Sequence, residues 1–156
     1  YVDTTAKNFS RTMDISCFSF TAVARAAYPL MVDNGGSMIT LTYYGAERVL
    51  PNYNVMGVAK AALEASIRYL ATDLGPDNIR VNGLSAGPMR TLAGSAIGSA
   101  RKIYNISEAN SPLRKSVTLD QIGNTALYLL GESSSGVTGE IHHVDSGYNI
   151  IGMPYL

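Results

Sequence analysis

Three short runs rich in strand-forming residues, at 37–43, 79–84 and 139–145, are separated by long segments with helical periodicity. Strands held apart in this way cannot join as tight hairpins. They pair in parallel through crossovers, and the connecting helices cover the sheet. The expected fold is therefore α/β, a doubly wound parallel sheet of the Rossmann type.

Residues 9–31 read as the first helix. Phe9, Met13, Ile15, Phe18, Phe20, Val23, Ala27 and Leu30 are denser than one core-facing stripe requires. Asp33-Asn34-Gly35-Gly36 is a turn, and 45–52 is a polar loop with Pro51 near its end. A long helix follows at 54–74, with Asn54 as its cap and Gly75-Pro76 as its stop. Its small and apolar residues cover several faces, which predicts burial on more than one side. Residues 92–100 are rich in small residues and only weakly helical. Thr118-Leu119-Asp120-Gln121 opens another helix that ends near Leu130.

Three strands are few for a doubly wound sheet, which is built from two mononucleotide-binding halves. The chain contains neither G-x-G-x-x-G nor a P-loop. It also begins with Tyr1 rather than Met. The expectation is a single partial domain over residues 1–156, the C-terminal part of a longer protein whose N-terminal half carries the dinucleotide fingerprint.

Composition narrows the partners. Twelve basic and twelve acidic residues balance, and no basic stripe invites nucleic acid. No run of 18 apolar residues indicates a membrane span. One cysteine, Cys17, cannot form an internal disulfide, which favours a reducing, cytoplasmic setting. His142 and His143 are adjacent on a strand, so they face opposite sides and are a poor pair for one metal ion. No metal site is expected.

Chemistry concentrates where strands end. Tyr43 closes the first strand run, and ligands in open α/β sheets bind beyond the carboxyl ends of strands. Tyr53 stands at the mouth of the long helix, and Lys60 follows after almost two turns on the same face. A phenol that donates to a carbonyl oxygen stabilises the enolate formed when hydride adds to a conjugated alkene. A neighbouring ammonium lowers the phenol's pKa and can bind ribose hydroxyls. Ser85-Ala86-Gly87-Pro88-Met89-Arg90-Thr91-Leu92 leaves the second strand. There Gly87 permits close backbone approach to a ligand, Pro88 fixes the turn, and the helical segment from Thr91 suits a phosphate.

These stretches, with the tail at 137–147, resemble bacterial enoyl-[acyl-carrier-protein] reductases of the short-chain dehydrogenase/reductase superfamily, over nearly the whole chain. The most specific feature is Tyr-x6-Lys from Tyr53 to Lys60. Most short-chain dehydrogenases carry Tyr-x3-Lys, a position held here by Gly57. The resemblance implies reduction of trans-2-enoyl thioesters with NADH, and NADPH is not excluded. It implies that Tyr53 bonds the thioester carbonyl, that Lys60 holds the nicotinamide ribose, and that Tyr43 lines the acyl site as a third catalytic residue.

By the same resemblance, Gly87, Pro88, Met89, Arg90, Thr91, Leu92 and Ala93 border the cofactor. Met56, Ile97 and Ala100 join Tyr43 and Tyr53 around the acyl chain, and the segment after Thr91 acts as a substrate lid. Ala100 departs from the family, where an aromatic residue is common. The implied partners are acyl carrier protein, met by basic residues among Arg48, Arg101, Lys102, Arg114 and Lys115, and three further copies in a homotetramer. Two other readings remain: a 3-oxoacyl or sugar dehydrogenase of the same fold, and an inactive Rossmann-like binding protein. The Tyr-x6-Lys spacing argues against the first and retention of Tyr53 and Lys60 against the second, although the absent first half argues partly for it, because this chain alone cannot build the adenosine site.

Overall fold

The computed structural model describes residues 1–89 and 100–153, apart from the side chains of Ala100 and Arg101. Helix α1 (Ala6–Met13) runs through a π-helical turn (Asp14–Phe18) into α2 (Ser19–Met31). Strand β1 (Gly36–Thr42), helix α3 (Asn54–Leu74) and strand β2 (Ile79–Ala86) follow. Helix α4 (Ala100–Asn110), helix α5 (Leu119–Leu130) and strand β3 (Ile141–Val144) complete the order.

The sheet order is β1-β2-β3 and both pairings are parallel, as the alternation of runs predicts. Strand β2 is central and nearly continuously buried, which suits a strand covered on both faces. Its polar Asn82 is fully buried but satisfied: Nδ2 donates to the Val137 carbonyl at 2.9 Å, and Oδ1 accepts from the Glu140 N–H at 3.0 Å.

Helix α3 covers one face of the sheet. Val55, Ala59, Leu63, Ile67 and Ala71 recur every four residues and form its buried stripe. At the contact, a Cβ built on Gly83 would stand 2.7 Å from the Cδ1 atoms of both Ile67 and Ile141. A side chain at position 83 would have to push both isoleucine ends aside. The expectation of burial on several sides is met in part: besides the sheet, α3 packs on the π-helical turn, where Ser66 Oγ meets buried Cys17 Sγ at 3.7 Å. Val58 and Tyr69, off the stripe, are exposed, and α2 buries only Ala24.

Helix α5 covers the other face through Ile122 and Leu129, in a cluster with Leu84 and Val117. Its start is a capping box: Thr118 Oγ1 accepts from the Gln121 N–H, and Gln121 Oε1 accepts from the Thr118 N–H. Helix α4 was not foreseen from sequence. Its Ser, Asn and Glu residues obscure the apolar period carried by Ile103 and Ile106.

Candidate active site

Strand β1 stops at Thr42, and Tyr43 stands just beyond its carboxyl end in extended backbone. A 3₁₀ turn over Tyr44–Ala46 bends the chain into the loop that leads to α3. That loop returns Tyr53 to Tyr43. The two rings meet edge to face, with centroids 5.4 Å apart and planes at 76°.

Local sequence explains how Tyr53 is held. Its neighbours Asn52 and Asn54 both have left-handed backbone, at φ 65° and 45°, while Tyr53 itself is at φ −79°. Asparagine is among the few non-glycine residues that tolerate this conformation. Asn54 therefore turns the chain instead of capping it. Tyr53 occupies the cap position, and among the described residues no side chain caps the helix there. This corrects the expectation for Asn54.

Two glycines complete the mould. A Cβ built on Gly45 would lie 2.3 Å from Cδ1 of the Tyr53 ring, so the ring rests directly on the Gly45 backbone. A Cβ built on Gly57 would lie 2.8 Å from the Gly45 carbonyl oxygen. The first turn of α3 is thus docked on the loop that supports the ring.

Burial pushes both phenols up to about 12, with Tyr148 and Tyr104 adding to the effect on Tyr43, and Tyr43 adding to that on Tyr53. Both stay protonated at neutral pH and can donate hydrogen bonds. Lys60 Nζ donates to the Leu41 carbonyl at 2.8 Å, which pins the ammonium to the end of β1. Burial lowers its pKa, and the Glu64 carboxylate and Cys17 partly offset that. Glu64, one turn further along α3, is itself buried and accepts from Thr42 Oγ1 at 2.7 Å. Burial raises its carboxyl, against the opposing bond from Thr42.

The far side of the site is built by β3. His143 Nε2 contacts Glu47 Oε1 at 2.6 Å, and Tyr44 meets Tyr148 edge to face at 5.9 Å. His142 points away from this contact, toward the Tyr128 ring. Buried Asp145 accepts from the backbone N–H groups of Gly147 and Asn149 and holds the turn after β3. Gly87 donates its N–H to the Val144 carbonyl at 2.8 Å, and its Cα approaches Asp145.

Three clefts adjoin these elements. One of about 450 Å³ lies beside Gly45, Arg48, Leu50, Tyr53 and Val58. A second, of about 310 Å³, is lined by Pro88, Met89, Tyr104, Glu108 and Thr118. Tyr104 on α4 also acts electrostatically on Tyr43, which links this cleft to the tyrosine pair. A third, of about 460 Å³, lies between α5 and the turn after β3, with His143, Asp145 and Ser146 on its wall.

Tyr43, Tyr53 and Lys60 thus gather at the end of β1, and Gly87, Pro88 and Met89 at the end of β2. Met56 is half-buried in the first turn of α3. Arg90, Thr91, Leu92, Ala93 and Ile97, the substrate lid, and the side chains of Ala100 and Arg101 lie outside the described residues. Arg48, Lys102, Arg114 and Lys115 are exposed.

Sequence reasoning missed Glu64, Glu47 with His143, and Tyr104. A signal existed for Glu64, a carboxylate in the apolar run of α3 one turn after Lys60. The other contacts join residues 96 positions apart, or elements that periodicity does not relate.

Residues 1–149 match the sequence model of the family described as enoyl-(acyl carrier protein) reductase. The chain is 64% identical over 153 residues to an NADH enoyl-[acyl-carrier-protein] reductase of Rhizobium meliloti, covering 98% of this chain and 56% of the relative. The crystal structure of an Anaplasma phagocytophilum enoyl-(acyl-carrier-protein) reductase in complex with NAD superposes with a TM-score of 0.94 at 57% identity. It covers 100% of this chain and 59% of that one. A Bacillus cereus enoyl-acyl carrier protein reductase solved with NADP+ and indole naphthyridinone gives a TM-score of 0.94 at 53% identity, covering 97% and 59%. The chain therefore spans less than two thirds of the length of each.

Proposed function

The chain belongs to the enoyl-(acyl carrier protein) reductase family, and from that premise we propose that it carries the catalytic residues of an NADH-dependent enoyl-acyl-carrier-protein reductase of fatty acid elongation. The observation that supports this most directly is the Tyr43–Tyr53 pair at the carboxyl end of β1, with Lys60 pinned to the same strand end.

The residues present fit a nicotinamide dinucleotide. One of the three ammonium donors of Lys60 is engaged by the Leu41 carbonyl, and the others suit ribose hydroxyls. Gly87 and Pro88 at the end of β2 allow close approach of backbone to ligand. When bound, reduced nicotinamide supplies the hydride for the β carbon of the enoyl thioester.

The chain's own residues then act on the carbonyl. Tyr53, neutral because burial holds its phenol near 12, donates a hydrogen bond to the thioester oxygen as negative charge develops there. Tyr43 packs edge-on against Tyr53, restricts that ring and lines the acyl side. Lys60 orients the cofactor; the expected lowering of the phenol's pKa by its ammonium is not seen, since burial and Tyr43 raise Tyr53 and Lys60 is engaged with the Leu41 carbonyl.

The spacing bears on the rival reductase reading. A lysine at position 57 would meet the Gly45 carbonyl, so this site cannot use the commoner Tyr-x3-Lys arrangement without moving the loop. The exposed apolar residues Val23 and Leu30 on α2, with Val58 and Tyr69 on α3, support a homotetramer in which these helices are covered. Acyl carrier protein is the proposed macromolecular partner, met by exposed basic side chains such as Lys102. The complete enzyme is proposed to be longer, with its dinucleotide fingerprint outside this chain, and to work in the cytoplasm. No helix of the described residues is long and apolar enough to cross a membrane.

The test is loss of reduced-nicotinamide absorbance when the intact protein meets a trans-2-enoyl thioester. Rapid oxidation of NADH is expected. Oxidation with 3-oxoacyl thioesters only, or with neither, overturns the reading.

A further inference from the structure

The contact between His143 and Glu47 takes no part in the reaction as described. The geometry points to it as a clasp that positions the Tyr43–Tyr53 pair: a side chain on β3 sets where the loop after β1 stands, and through that loop where the Tyr53 ring lies. The inference rests on the reductase reading above.

Register supplies the first argument. Thr42 pairs with Ser85, and Ser85 pairs with His143, so these three residues form one row across all three strands at their carboxyl ends. Residues in one row of a parallel sheet project to the same face. Thr42 uses that face to bond Glu64 of α3. His143 therefore projects toward α3 as well, and there it meets Glu47, 2.6 Å from Nε2. The contact bridges the sheet from β3 to the loop leaving β1, over the central strand.

The loop carries this placement to the ring. Glu47 donates its N–H to the Tyr44 carbonyl and closes the turn that contains Gly45. Gly45 is the surface on which the Tyr53 ring rests. A shift at Glu47 is therefore a shift beneath Tyr53. The Tyr44–Tyr148 ring contact ties the same two segments at a second point. The Glu47 and His143 side chains are each partly exposed, and such polar contacts add little to global stability. What the pair contributes is local position, to which catalytic rates respond steeply.

Glu47→Ala, His143→Ala, the double variant and Glu47→Gln are compared in the intact protein. Each alanine variant is expected to lower kcat by about tenfold, with NADH affinity and Tm unchanged, and the double variant no lower than the singles. Glu47→Gln keeps an oxygen acceptor for His143 and retains most of the activity. The ring-proton resonances of Tyr43 and Tyr53 shift in the alanine variants and not in Glu47→Gln. Wild-type kcat in both alanine variants, additive losses in the double variant, or unmoved tyrosine resonances overturn the clasp. Should the unmodified protein fail to reduce enoyl thioesters, the reductase reading falls, and the resonances still decide the clasp.

Discussion

The Cα of Gly57 lies against the carbonyl oxygen of Gly45, so close that a Cβ at position 57 would sit 2.8 Å from it. Helix α3 begins on the loop that supports Tyr53, and Gly57 is the point of contact. Gly57→Ala gains helix propensity but must displace backbone. We expect a net loss of about 1–2 kcal/mol in urea unfolding, because overpacking here outweighs the propensity gain. Moving the lysine, as Gly57→Lys with Lys60→Ala, is expected to leave no enoyl reductase activity. Restored turnover in that double variant would show that the x6 spacing is incidental.

Tyr53→Phe removes the donor to the developing enolate while keeping the ring on Gly45. A fall in kcat of about 10- to 1000-fold is expected, with thermal unfolding little changed. Steady-state kinetics with saturating NADH checks this. Undiminished kcat means that the oxyanion is stabilised elsewhere.

Both phenols are pushed up to about 12 in the folded protein, against 10.0 in the unfolded chain. Below pH 10 both are protonated in either state and stability does not depend on them. Between pH 10 and about 12 the unfolded chain ionises first, so stability falls as pH rises. Denaturant titrations across that window should show a flatter decline for the Tyr43→Phe/Tyr53→Phe variant. An equal slope would remove burial as the cause.

Lys60→Ala is expected to weaken NADH binding, read by fluorescence titration, more than it weakens folding. Glu64 separates the two roles of the buried charge cluster. Glu64→Gln still offers an oxygen to Thr42 Oγ1 and should fold normally. Glu64→Leu leaves that hydroxyl unpaired in the interior and should cost about 1–3 kcal/mol.

Ser146 has φ 60° and a buried Oγ with no hydrogen-bond partner among the described residues. Ser146→Gly removes both the left-handed strain and the unsatisfied hydroxyl. A gain of about 1–2 kcal/mol is expected after the entropy that glycine adds to the unfolded chain. An unchanged or lower unfolding midpoint would show that the hydroxyl is satisfied in solution.

The parallel sheet, the long helix, the helix start at Thr118 and the gathering of Tyr43, Tyr53 and Lys60 were all legible in the sequence. Each rests on a short-range pattern: apolar runs of strand length, four-residue helical spacing, or two residues seven apart on one helix face. The role of Asn54, the exposure of Val58 and Tyr69 on α3 and the clasp from His143 to Glu47 were decided only by the tertiary structure. Left-handed backbone at Asn54 follows from the need to seat Tyr53 on Gly45, a contact between segments and not a property of either. His143 and Glu47 meet because strand register places Thr42, Ser85 and His143 in one row, and no periodicity in a single chain encodes the register between strands so far apart in sequence.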